Sequence, residues 1–133
     1  MIENNQNAPL LEIKDLSVRF KTDEGDVEAL DKVSFEIQAG QTVGVVGESG
    51  CGKSVTAYSI MRLLPRPTGK ITHGSIFFKG KNILDLRTDA MREIRGNEIG
   101  MIFQEPMTSL NPVQKIGKQV SEVFHLHDAN GDH

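Results

Sequence analysis

The run Gly47-Glu48-Ser49-Gly50-Cys51-Gly52-Lys53-Ser54 carries the densest chemistry in the chain, matching G-x-x-x-x-G-K-[ST] at every fixed position. A phosphate group must be approached by backbone N–H donors from several sides, which requires a tight loop with few obstructing Cβ atoms. Gly47, Gly50 and Gly52 supply that freedom. A helix starting at the end of the loop directs unpaired N–H groups and its positive dipole end at the anion. Lys53 places a compact cation near the outer phosphates, and the Ser54 hydroxyl is a ligand for Mg²⁺. At ordinary residue frequencies a random chain of this length matches the pattern in roughly 0.5% of cases, so a plain glycine turn beside an exposed lysine is the weaker reading. The expectation is a site for ATP and Mg²⁺ over residues 47–54, with Val55 following. Cys51 is read as a small residue at a variable position, the alternative being a reactive thiol that nucleotide shields.

Composition bounds the rest. The chain has 133 residues, 38% hydrophobic and 25% charged, with 5% aromatic and no Trp. That is a globular balance with few large core side chains. Lys plus Arg number 15 against 18 Asp plus Glu, a net charge of −3, which argues against a nucleic-acid coat. Nothing approaches the apolar length of a transmembrane helix, and the polar stretch from Met1 to Pro9 lacks the apolar region of a signal peptide. The single cysteine cannot form an internal disulfide, so the chain reads as intracellular.

Several elements must position the loop. Residues 1–9 are expected to be a solvated tail. Leu11, Ile13, Leu16, Val18 and Phe20 predict strand pieces interrupted near Asp15. Across the turn cluster Thr22 to Asp26, the run Val27 to Ile37 completes an antiparallel hairpin. Thr42 to Val46 is a short apolar run of the kind buried in a parallel sheet. A helix is expected from Lys53 through Leu64, stopped by Pro65. Pro67 to Gly74 reads as loop, with Ser75–Phe78 and Asn82–Leu84 as a second hairpin about Lys79-Gly80-Lys81. Thr88 is a cap for a short helix to Arg95, ended by Gly96. Ile99 to Phe103 is a further apolar strand. Asn111, Pro112 and Gln114 make a capping-box start for a last helix reaching about Leu126, with Val113, Ile116, Val120 and Val123 on one face. The order predicts an α/β fold with an antiparallel addition at the front.

With the loop and its flanking elements in place, the sequence resembles an ATP-binding-cassette (ABC) ATPase from about Leu10 to Leu126. Phe20 stands 27 positions before the loop, where such domains hold an aromatic residue that stacks on adenine. Ile99-Gly100-Met101-Ile102-Phe103-Gln104 resembles the strand ending in the family's Q-loop glutamine, which implies that Gln104 reaches toward Mg²⁺ and the attacking water. Phe103 to Pro112, Gly47 to Val55 and Leu10 to Ile13 resemble the peptide and nickel importer branch. Val55 stands where many members carry a Thr on the α-phosphate, which implies a modest effect on affinity. The resemblance implies a P-loop NTPase fold with an N-terminal antiparallel β subdomain and Lys53 and Gln104 in catalysis. It further implies transmembrane permease partners, a second ATPase subunit packed head to tail, and an extracytoplasmic substrate-binding protein acting indirectly. The location it implies is the cytoplasmic face of the inner membrane, as a peripheral subunit.

The family's signature motif, its apolar strand ending in Asp-Glu, and its switch histidine have no counterpart in these residues. The Asp23-Glu24 pair precedes the phosphate loop and sits in a turn. Residues 10–133 are therefore expected to be the N-terminal portion of a nucleotide-binding domain, truncated after the Q-loop, with an incomplete central sheet. Two other readings stand beside the importer: a different P-loop enzyme, such as a small-molecule kinase, and a nucleotide-binding or structural remnant with no hydrolysis. His125, His127 and His133 near Asp128 and Asp132 read as a ragged polar end rather than a metal cluster, because residues two apart point to different sides of a helix.

Overall fold

The computed structural model describes residues 8–105 and 110–127. They fall into two units, residues 1–86 and 87–133, each treated by itself. The expectations for the first residues of the tail, for Pro106 to Ser109 within the importer-like stretch, and for the polar end from Asp128 lie outside the described residues.

The first unit is built on one antiparallel sheet. Strand β1 (Leu11–Thr22) pairs with β2 (Gly25–Ile37) on one side and with β3 (Gly69–Phe78) on the other, and β3 pairs with the short β4 (Lys81–Asn82). The order is β2-β1-β3-β4. The first hairpin forms as the sequence predicts: Thr22 lies opposite Gly25, and the Thr22 hydroxyl donates to the Gly25 carbonyl at 2.6 Å. The second hairpin turns on Lys79 and Gly80, both at positive φ (48° and 76°), the conformation that a two-residue turn with the right twist demands. Cross-strand pairs Leu11–Phe78 and Ile13–Ile76 join Leu16, Val18 and Ile83 in the core, each almost wholly buried. Full burial of such a side chain contributes about 1.5–3 kcal/mol.

β1 is interrupted at Asp15, as its sequence predicts. Asp15 has φ 46° and the pairing to both neighbours shifts register there. Lys32 of β2 makes the matching irregularity at φ 47°. Two serines join the displaced backbones. The Ser34 hydroxyl accepts the Asp15 N–H at 2.8 Å, and the Ser17 hydroxyl accepts the Lys32 N–H at 3.0 Å.

Several boundaries differ from expectation. β3 begins at Gly69 rather than Ser75, because Gly74 is not a breaker but a bulge. Its φ is +94°, and a Cβ there would lie 2.5 Å from the carbonyl oxygens of both Lys14 and Asp15. Helix α1 (Lys53–Ile60) ends before Leu63 and Leu64. Arg62 takes the left-handed conformation at φ 51°; its N–H bonds the Ser59 carbonyl, and the Leu63 N–H bonds that of Tyr58. This double closure satisfies the last carbonyls before Pro65 is reached.

Thr42 to Val46 forms no strand among the described residues, and Val46 is 92% exposed. Ile99 to Phe103 makes only one bridge, Ile99 to Arg95, and Ile102 is 99% exposed. Neither run is a strand among the described residues. An apolar β-branched run becomes a strand only where a partner supplies the ladder.

In the second unit, α2 (Thr88–Ile94) has Arg87 rather than Thr88 as its N-cap, with Arg87 paired to Asp89 at 3.3 Å. α3 (Ile116–His127) starts later than the capping box at Asn111 implied. The Asn111 carboxamide instead accepts the Val113 N–H in a turn, and Gln119, not Gln114, bonds the Asn111 backbone through both of its side-chain atoms.

The Gly74 bulge gives a direct test. Gly74→Ala should lower stability by about 1–3 kcal/mol, whereas Gly80→Ala, also at positive φ but facing open space, should cost less. Urea midpoints for both variants check this, and equal losses would remove the close-packing account.

Candidate nucleotide site

The phosphate loop joins the exposed segment 42–46 to α1. The Cys51 N–H bonds the Glu48 carbonyl at 3.3 Å, Gly50 sits at φ 82°, and Gly52 is the N-cap of α1 at φ 93°. The first intrahelical bond is Thr56 N–H to Gly52 carbonyl at 2.9 Å. The N–H groups of Lys53, Ser54 and Val55 therefore precede the helical ladder and remain for a ligand. The two buried hydroxyls of α1 turn inward on its own carbonyls, Thr56 to Gly52 and Ser59 to Val55.

Lys53 folds back into its own loop. Its ammonium donates to the carbonyls of Gly47 at 2.7 Å and Glu48 at 2.6 Å, and to the Cys51 sulfur at 3.4 Å. A cation at that point gives the loop a positive centre ringed by backbone. The Cys51 thiol and the Ser54 hydroxyl are both exposed. A hydroxyl at the second helical position, with unpaired backbone N–H groups around it, is the donor set that a metal-phosphate pair requires. The residues fit ATP and Mg²⁺ in type and placement.

What fixes the loop's end is strand β2, a partner that the motif gives no sign of. A Cβ on Gly52 would lie 2.5 Å from the Leu30 side chain and 2.7 Å from the Ala29 carbonyl. Gly52 is thus pressed on β2. The Gly47 position is closed by Cys51, whose sulfur would be 2.5 Å from an added Cβ.

Phe20 is half-buried near the end of β1, opposite Val27 of β2 and Gly69 of β3, with its ring against Gly69. Val27 stands two residues from Ala29, about 7 Å along the strand. The same strand therefore carries both the cross-strand partner of Phe20 and the backing of Gly52. Gln104 belongs to the second unit and is exposed after the 99–103 segment.

Comparison with known proteins follows the same lines. The family model described as "ABC transporter" matches residues 30–131. This chain belongs to the ABC transporter family. It is 50% identical over 127 residues to a probable peptide ABC transporter ATP-binding protein of Sinorhizobium fredii, covering 95% of this chain and 38% of the relative. It is 52% identical over 119 residues to the oligopeptide transport ATP-binding protein OppD of Bacillus subtilis, covering 90% of this chain and 33% of the relative. With the dipeptide transport ATP-binding protein DppD of Lactococcus lactis, it shares 50% identity over 119 residues, 90% of this chain and 34% of the relative. The chain thus spans about a third of the length of these relatives. Membership makes the phosphate loop that of a nucleotide-binding P-loop NTPase. Among the described residues, no helix is long and apolar enough to cross a membrane.

The two crowded glycines should behave differently. Gly52→Ala meets backbone at a positive φ, so it should cost about 1–3 kcal/mol of ATP binding or stability with no simple relief. Gly47→Ala displaces only a thiol, and its smaller loss should be recovered in Gly47→Ala/Cys51→Ala. Fluorescent-nucleotide titration of the three variants measures the ranking, and a Gly47→Ala defect that survives Cys51→Ala would contradict it.

Proposed function

We propose that this chain is the nucleotide-binding portion of an ATP-binding subunit of an ABC importer for peptides. The carrying observation is the Lys53 ammonium held at the centre of the Gly47–Ser54 loop, with the unpaired N–H groups of α1 beside it. In this reading the backbone of Gly47, Glu48, Ser49, Gly50, Cys51 and Gly52 and the N–H groups of Lys53, Ser54 and Val55 take the phosphates. Lys53 leaves the Gly47 and Glu48 carbonyls to meet the incoming charge. Phe20 packs on adenine, a role supported by its place on β1 opposite Val27, which stands two residues along β2 from the Ala29 that backs the loop. Ser54 would hold Mg²⁺, which when bound would neutralise phosphate charge; the part of Gln104 toward metal and attacking water rests on the family resemblance alone.

The peptide cargo is supported by the relatives, whose names specify peptide, oligopeptide or dipeptide transport. Permease subunits, a second ATPase subunit in a head-to-tail dimer and an extracytoplasmic binding protein belong to the same reading, as does a peripheral place on the cytoplasmic face of the membrane. Residues 10–133 are the N-terminal portion of the nucleotide-binding domain, and residues 42–46 and 99–103 are each a strand that awaits its partner. The exposure of Val46 and Ile102 supports that assignment.

A second reading, nucleotide binding without hydrolysis, is favoured by one observation. The sequence's Asp-Glu pair, Asp23-Glu24, lies at the tip of the β1–β2 hairpin, in the turn that Thr22 and Gly25 close.

MgATP titration of the chain, with Lys53→Ala beside it, tests the site. Loss of the ammonium should weaken binding roughly ten- to hundredfold, the worth of a charge-assisted hydrogen bond. Equal affinity in the two proteins would defeat the assignment. Turnover measured in the same samples separates the readings, since Lys53-dependent hydrolysis by this chain would rule out the second.

A further inference from the structure

A cavity of about 650 Å³ lies in the first unit, away from the phosphate loop. It is lined by Gly69 to Gly74 of β3, whose side away from β1 is the one that β4 pairs. β4 pairs only with Phe77 and Phe78 there, so residues 70–74 have no strand partner on that side among the described residues. Its remaining walls come from the segment after α1 and from Leu84. Whereas the phosphate loop sits at the N-terminal end of α1, this cavity is lined from beyond its C-terminal end, roughly 12 Å away along the helix.

The lining is chemically one-sided. Arg62, Arg66, Lys70 and His73 contribute to it, and no carboxylate does. This follows from a charge block in the sequence: between Glu48 and Asp85 there is no Asp or Glu, yet the stretch holds Lys53, Arg62, Arg66, Lys70, Lys79 and Lys81. In a chain of net charge −3, that is a concentrated positive region. Arg62 is structural, donating to the carbonyls of Ile83 at 3.2 Å and Leu86 at 2.6 Å, and so ties the two sides of the cavity together. The side chains of Arg66, Lys70 and His73 have no hydrogen-bond or ion-pair partner among the described residues. Leu64, Ile71 and Leu84 supply apolar wall between them.

We infer that this cavity is a second anion site, one that binds a small phosphorylated molecule with an apolar part. Its volume falls in the range of small-ligand pockets, roughly 300–1,000 Å³. A planar guanidinium and an ammonium with no carboxylate nearby match a phosphate monoester, whose oxygens accept in a fork. The apolar walls match a ring or short chain on the ester. The site does not depend on the nucleotide reading, because none of its lining residues belongs to the phosphate loop.

The test uses the 133-residue chain carrying Lys53→Ala, so that the phosphate loop does not compete, with phenyl phosphate as probe and amide NMR shifts as readout. Saturable shifts at Lys70 to Gly74 are expected, with inorganic phosphate binding more weakly for want of the ring. Arg66→Gln/Lys70→Gln, which alters exposed side chains only, should weaken phenyl phosphate binding by about tenfold or more. Absence of saturable shifts, shifts confined to residues 47–54, or binding that the double substitution leaves intact would each overturn the proposal. Sedimentation with phosphatidate vesicles without binding of soluble phenyl phosphate, or binding of a poly-glutamate peptide in its place, would also overturn it. Fluorescent-nucleotide binding by Arg66→Gln/Lys70→Gln with Lys53 intact reads the phosphate loop independently, so either site can fail without the other.

Discussion

Everything about the nucleotide site rests on one close approach, that of the Gly52 backbone to the Ala29 carbonyl and the Leu30 side chain of β2. A phosphate loop must be bare, and a bare loop has little of its own to hold its shape. The sheet provides what the loop lacks. β2 is held at its far side by β1, and β1 by β3, so the point at which α1 begins is fixed by a three-strand framework formed from residues before and after the loop. The left-handed turn at Gly52 is the joint between that framework and the helix whose first N–H groups lie outside the hydrogen-bond ladder. A side chain at this position would push the helix start off the strand, moving the donors as a block.

Such an arrangement explains why some of the fold was legible in the sequence and some was not. Local signals carried the hairpins. A Thr-Asp-Glu-Gly turn and a Lys-Gly turn between apolar alternations specify themselves, because their partners lie within a few residues. The phosphate loop was equally plain, since its function demands particular residue types at fixed spacing. By contrast, Gly74 looked like a breaker because nothing near it in sequence reveals that Lys14 and Asp15 press on it from another strand. The backing of Gly52 by β2 was hidden for the same reason. Thr42 to Val46 and Ile99 to Phe103 have strand-like composition, yet strand is a relation between segments, and among the described residues each lacks its ladder.

The helix ends show how closely competing local signals can be balanced. Leu63 and Leu64 continue the apolar pattern of α1, and Pro65 is the obvious stop. The chain stops earlier because the Arg62 turn closes the last carbonyls through Ser59 and Tyr58. An arginine in the left-handed conformation carries a conformational cost, of the order of 1 kcal/mol. Here its guanidinium gains two carbonyl acceptors on the far side, at Ile83 and Leu86, which offsets that cost. The same residue therefore ends the helix and anchors the segment after β4.

That double role gives α1 a defined ligand environment at each end, by different means. At its N-terminus the positive character comes from unpaired N–H groups and from Lys53, aimed inward at a backbone cradle. Beyond its C-terminus, where the helix dipole is negative, the positive character must come entirely from side chains, and Arg66, Lys70 and His73 supply it around apolar walls. Gly69 connects the two regions: it lines the cavity and bears the ring of Phe20, since an added Cβ would stand 2.8 Å from the Phe20 ring. A ligand that moved β3 at Gly69 would therefore move the aromatic residue proposed for adenine, while one that moved Arg62 would act on the end of the helix whose start is proposed to take phosphate. Both routes run through single packed contacts, Gly69 on Phe20 and Arg62 on the Ile83 and Leu86 carbonyls, beside the β3–β1–β2 ladder that ends at Gly52, and these are the connections through which the two proposed sites would couple.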